Sequence, residues 1–149
     1  MSPRHTPLAV VVGVDGSLNG LAATEVAVDE AVLRHLPLRI AYASPSGHPH
    51  SNAPRMPRLV TDLVEAVHQA HPELDISERI APMAPSQLLL EESENAALLV
   101  VGAPSHEDGV DRVATCTAHI VLGAAECPVV VARPMQVRDV WPHDDGRSR

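Results

Sequence analysis

The chain contains no phenylalanine and no lysine, and its only aromatic side chains are Tyr42 and Trp141. With so few rings, a stacking platform for single-stranded nucleic acid is excluded. Without lysine there is no Schiff-base amine and no cation of the kind a Walker phosphate loop uses, since all 11 strong bases are arginines. Positive charge is also in deficit: 19 carboxylates leave a formal net charge of -8, so the phosphate backbone of a nucleic acid would be repelled and no nucleic-acid partner is expected. Two cysteines, Cys116 and Cys127, cannot form a disulfide framework and lack the short paired spacing of a zinc site. No apolar run approaches the ~20 residues needed to cross a bilayer. The opening segment, Met1 to Pro7, leads into an apolar stretch without a signal-peptide pattern. A cytoplasmic location with no membrane partner is the expectation.

Apolar residues make up 45% of the 149 positions, enough for one domain with a real core built from Ala, Val and Leu. Leu8 to Asp15, Leu38 to Ala43, Ala97 to Gly102 and Cys127 to Arg133 are short, nearly unbroken apolar runs. Such runs read as parallel strands covered on both faces. Leu74 to Ile80 alternates, as a strand with one less buried face does. Between these runs, apolar residues recur at helical spacing over Gly20 to His35, Leu59 to His71, Pro85 to Asn95 and Arg112 to Glu126. Ser17 or Asn19 caps the first of these helices, and Pro85 suits the first turn of the third. Ser46 to Pro57, rich in Pro, Ser and His, reads as an exposed loop. Strand–helix alternation implies right-handed crossovers and an α/β fold with a mostly parallel sheet. In such a sheet ligands bind beyond the carboxyl ends of the strands, which selects the turns after Asp15, Ala43 and Gly102.

Two segments carry a family resemblance. Val11-Val-Gly-Val-Asp-Gly-Ser17 resembles the opening of universal stress proteins, where an apolar strand ends in Asp followed by a small residue and a hydroxyl. Leu98-Leu-Val-Val-Gly102, then a loop, a helix and Cys127-Pro-Val-Val-Val131, resembles their closing half. The resemblance spans Leu8 to Arg133, so residues 1–133 are expected to form the domain and 134–149 a polar tail. It implies a five-stranded parallel sheet of order 3-2-1-4-5 with helices on both faces. It also implies a stress-response regulator that binds ATP between the first and fourth strands and pairs its last strands into a homodimer. Carried over by position, Asp15 takes the place of the nucleotide-contacting Asp, and Gly102 that of the first glycine of the phosphate loop. The second glycine falls at Ser105, and the following Gly-Ser/Thr pair at Thr115 and Cys116.

Those departures bear on chemistry. Glycines in a phosphate loop let backbone N–H groups approach the anion, and a Ser at a left-handed position is penalised by about 1 kcal/mol. Glu107, Asp108 and Asp111 lie in the same segment, countered by His106 and Arg112. Two readings follow: a regulator that binds an adenine nucleotide through an altered phosphate loop, or a nucleotide-free dimeric interaction module of the same fold. Asp15 itself has a plainer role open to it, accepting backbone N–H groups within its own turn. No nucleophile elbow and no assembled base, nucleophile and oxyanion donor are present, so an enzyme is not expected. His48 and His50 in the Pro/Ser-rich loop lack a third metal ligand, and Glu91-Glu92 reads as a solvated helix end.

Overall fold

The computed structural model describes residues 8–44, 55–103 and 117–134. Its elements run β1 (Ala9–Gly13), α1 (Leu18–Arg34), β2 (Leu38–Ala43), α2 (Arg55–Ala70), β3 (Ile76–Ala81), α3 (Pro85–Ser93), β4 (Ala96–Gly102), α4 (Thr117–Ala124) and β5 (Val129–Ala132). All neighbouring strands pair in parallel, in the order β3-β2-β1-β4-β5. The expected α/β architecture and strand order are therefore present.

The unbroken apolar strands occupy the middle of the sheet because both of their faces are covered. Val10, Val12, Leu38, Ile40, Leu98 and Val100 point to one side, where α1 and α2 contribute Ala23, Ala27, Ala31, Val60 and Val67. Val11, Ala41, Leu99 and Val101 point to the other, against Leu88 and Leu89 of α3 and Val121 of α4. Ala23, Ala27 and Ala31, spaced four apart on α1, are all fully buried. Their small side chains let the helix axis lie close to the sheet, so the missing phenylalanines are replaced by proximity rather than bulk.

Several boundaries differ from the sequence expectation for local reasons. β1 stops at Gly13 rather than Asp15, although the Val14 N–H still donates to the Ala41 carbonyl at 3.0 Å. α1 starts at Leu18 because Ser17 is its N-cap, with its Oγ accepting the Gly20 N–H at 3.1 Å. α2 begins at Arg55, inside the segment read as loop. Pro57 lies in that first turn, where a proline's missing N–H has no helical partner to lose. β3 begins at Ile76; Leu74 is buried, but its N–H closes a turn onto His71 instead of joining the sheet. The start expected for the last helix lies outside the described residues, and β5 is shorter than expected.

Candidate functional site

In the order β3-β2-β1-β4-β5 the chain leaves β1 toward β2 on one side and returns to β4 on the other. The carboxyl ends of β1 and β4 therefore open a crevice between them, the place where ligands enter open α/β sheets. Here the crevice is a cleft of about 110 Å³. Gly13, Val14 and Asp15 form its β1 wall and Gly102 and Ala103 its β4 wall. Ala41, Ala43, Leu88 and Leu89 supply an apolar floor.

Two close approaches shape it. A Cβ on Gly102 would lie 2.8 Å from the backbone carbon of Asn19, so only glycine lets the end of β4 meet the first turn of α1. A Cβ on Gly13 would lie 2.8 Å from Leu89 Cδ1, which is how α3 reaches the cleft floor. Asn19, offered by the sequence as a possible cap, does something else: its side-chain amide donates to the Ala103 carbonyl across 84 positions of sequence. The β1–α1 turn and the β4 exit are thereby tied into one rim.

Asp15 is exposed at the cleft, and its Oδ1 accepts the Ser17 N–H at 2.9 Å. The local turn role open to this residue is thus filled by one carboxylate oxygen. Gly16, at φ 87°, turns the chain between the two residues. Among the described lining residues Asp15 is the only charged group. The cleft can therefore accept a flat apolar ring on its floor and offer a carboxylate acceptor to hydroxyl or amine donors at its rim. Of the sequence-derived site residues, the structure brings Asp15 and Gly102 to the same cleft. Ser105, Thr115 and Cys116 lie outside the described residues, as do His48 and His50. Among the described residues no cluster of His, Cys, Asp or Glu suited to a metal occurs, and no helix is long and apolar enough to cross a membrane.

The sequence reading of Glu91-Glu92 as a solvated helix end needs correction. Glu92 is buried, with Oε1 accepting from Arg39 Nη1 at 3.1 Å and Oε2 from Arg79 Nη1 at 2.8 Å. Glu91 is exposed and takes a second bond from Arg79 at 3.0 Å. The Arg79 guanidinium is held above its ordinary pKa chiefly by its hydrogen bond to Glu92, then by that to Glu91. This bridge pins the end of α3 to β2 and β3, one turn beyond the leucines that floor the cleft. Cys127 is half-buried against the α3–α4 side of the core, and burial pushes its thiol pKa up.

Comparison with known proteins adds a second line. Residues 9–133 match the profile of the Universal stress protein family. A universal stress protein of Mycobacterium tuberculosis strain H37Rv is 35% identical over 146 residues, covering 92% of this chain and 52% of its own length. The chain thus spans about half the length of the curated relatives it matches. Among solved structures, a universal stress protein in complex with cAMP is 26% identical, with a TM-score of 0.68 over 85% of this chain and 96% of that one. The universal stress protein of Archaeoglobus fulgidus in complex with dAMP shares the fold at 19% identity, with a TM-score of 0.63 over 84% of this chain and 97% of that one.

Proposed function

This chain belongs to the universal stress protein family, and we propose that it is a regulatory protein that takes an adenine nucleotide into the cleft between β1 and β4. The observation that carries this reading is the coincidence of Asp15 and Gly102 on that cleft. Support also comes from the cAMP complex of the 26% identical relative. The base lies on the floor formed by Ala41, Ala43 and Leu88, and Asp15 accepts hydrogen bonds from ribose hydroxyls or the base. The phosphate end extends past Gly102 toward Ser105, Thr115 and Cys116. A cleft of about 110 Å³ is smaller than the roughly 300 Å³ at which pockets for whole drug-sized ligands begin, so the base alone is enclosed. Glu107, Asp108 and Asp111, in the sequence that follows Gly102, would repel a triphosphate unless a metal intervened. Occupancy then shifts the population of whichever conformation binds more tightly, linking the chain to the nucleotide state of a stressed cell.

Calorimetric titration with ATP, AMP and cAMP, together with chromatography of anything released on denaturation, tests this directly. Binding of at least one nucleotide that is abolished in Asp15→Arg is the expected result. Unaltered affinity in that variant would place the site elsewhere.

The replacement of two phosphate-loop glycines by Ser105 and Thr115 favours a second reading, a nucleotide-free interaction module of the same fold. Neither heat nor released nucleotide would select it. Both readings include a homodimer through β5, an edge strand whose Val131 is 38% exposed, because an apolar edge invites pairing. Sedimentation as a monomer would refute that part.

A further inference from the structure

The helices α1 and α2 lie on the same side of the sheet, but a trough of about 520 Å³ separates them. Its floor is apolar, formed by Leu21, Val28, Leu63 and Val67. Its α1 bank carries Glu25 and Asp29, whereas the α2 bank presents Ala66, Ala70 and His71. A separate hollow beside the C-terminal end of α1 is lined by Val32, His35, Glu73 and Asp75. Leu21 and Leu63 of the trough are shared with an apolar hollow of about 230 Å³ that has Asp62 on its rim. Leu21, Val32 and Leu59 are 43%, 37% and 42% exposed along this line. Leu21 to Val32 is eleven residue steps along α1, which is about 17 Å or three helical turns.

Charge on the banks is one-sided. Against Glu25, Asp29, Asp62, Glu73 and Asp75 stand His35, His71, which is 3.8 Å from Glu73, and Arg58 at the start of α2. Arg34 is already bound to Glu30 at 2.9 Å. We propose that this trough docks a three-turn amphipathic helix of a partner protein, apolar along one ridge and basic on its flanks. An apolar floor takes the ridge of such a helix, and acidic banks select its flanks and reject an acidic competitor. A second copy of this chain, which would bring the same acidic bank and a net charge of -8, is disfavoured. The inference does not depend on nucleotide binding.

The probe is a synthetic three-turn peptide with a leucine ridge and lysine flanks, titrated into the isotope-labelled full chain and followed by amide chemical shifts. The control peptide has glutamate in place of each lysine. Shifts confined to α1 and α2, with the lysine peptide at least about tenfold tighter, are the expected result. Ala66→Arg, which fills the trough from an exposed position, should remove binding without changing the melting temperature. The double variant Glu25→Lys, Asp29→Lys should weaken the lysine peptide by about tenfold. Equal binding of both peptides, shifts located at β5 or the β1–β4 cleft, or undiminished binding to Ala66→Arg would overturn the inference. So would a dimer that Ala66→Arg converts to monomer, which would assign the trough to a second copy.

Discussion

Replacing Glu92 by alanine removes a carboxylate that holds three elements together. Glu92 is 6% exposed and accepts two guanidinium hydrogen bonds, at 3.1 Å from Arg39 on β2 and 2.8 Å from Arg79 on β3. Stripping one partner from a fully buried ion pair destabilises a protein by about 3–5 kcal/mol, because the remaining charge is left dry. Here the orphaned groups are Arg39 and Arg79, whose side chains are 35% and 36% exposed, so water can rehydrate them. A loss of about 2–3 kcal/mol is therefore expected, close to the net worth of one or two hydrogen bonds to a charged group. For a chain of this length that corresponds to a fall in Tm of roughly 5–10 °C. Glu91→Ala is the internal standard. Glu91 is 46% exposed and shares Arg79, and an exposed pair contributes at most about 1 kcal/mol. Urea unfolding with a common m value would compare the two variants. If Glu92→Ala and Glu91→Ala shifted the midpoint equally, the reading of Glu92 as a buried bridge would be wrong.

Four further outcomes are expected. Ser17→Ala removes the N-cap of α1 and should cost about 1 kcal/mol in urea unfolding; no change would mean that the cap is dispensable. Gly102→Ala places a Cβ against the backbone of Asn19, so stability should drop by about 1–3 kcal/mol and nucleotide titration should lose its signal. His35 closes α1 at φ 56°, with the Leu36 N–H donating to the Ala31 carbonyl at 3.0 Å. His35→Gly should therefore stabilise the fold by roughly 0.5–1 kcal/mol, and a lower melting temperature would contradict the assigned backbone. In a Cys116→Ser background, Cys127 should react with a thiol reagent at pH 8 more slowly than the urea-unfolded chain does, because burial raises its pKa and the thiolate is the nucleophile. The sign for stability follows: the fold favours the neutral thiol, so this contribution is intact below the ordinary cysteine pKa and is lost as pH rises through the raised value.

What could be read beforehand was whatever the chain states locally. Val10 to Val12 and Leu98 to Val101 are continuous apolar runs, and burial on both faces of a parallel sheet is the physical condition that produces them. Asp15 and Gly102 were legible as candidates for the strand-end cleft that both line because each ends such a run. The rim that joins them was not, since Asn19 reaches Ala103 across 84 positions and nothing local to Asn19 distinguishes that role from capping. The same blindness explains Glu92. Its cations come from 53 positions upstream and 13 positions upstream, so the sequence displayed two adjacent acids at a helix end and concealed that only Glu91 faces water. The start of α2 was hidden for a different reason, because Pro57 imitates a loop signal when it occupies a first helical turn.

The amide of Asn19 has a mechanical consequence. It sits in the first turn of α1 and holds the carbonyl just after β4, while Ser17 caps the same turn and donates its N–H to the Asp15 carboxylate. The mouth of the cleft is consequently a closed ring rather than two independent lips. The β4 exit and the start of α1 are thus one hydrogen bond apart. The fully buried alanines at positions 23, 27 and 31 seat that helix directly on the sheet, so the ring is anchored to the core at α1.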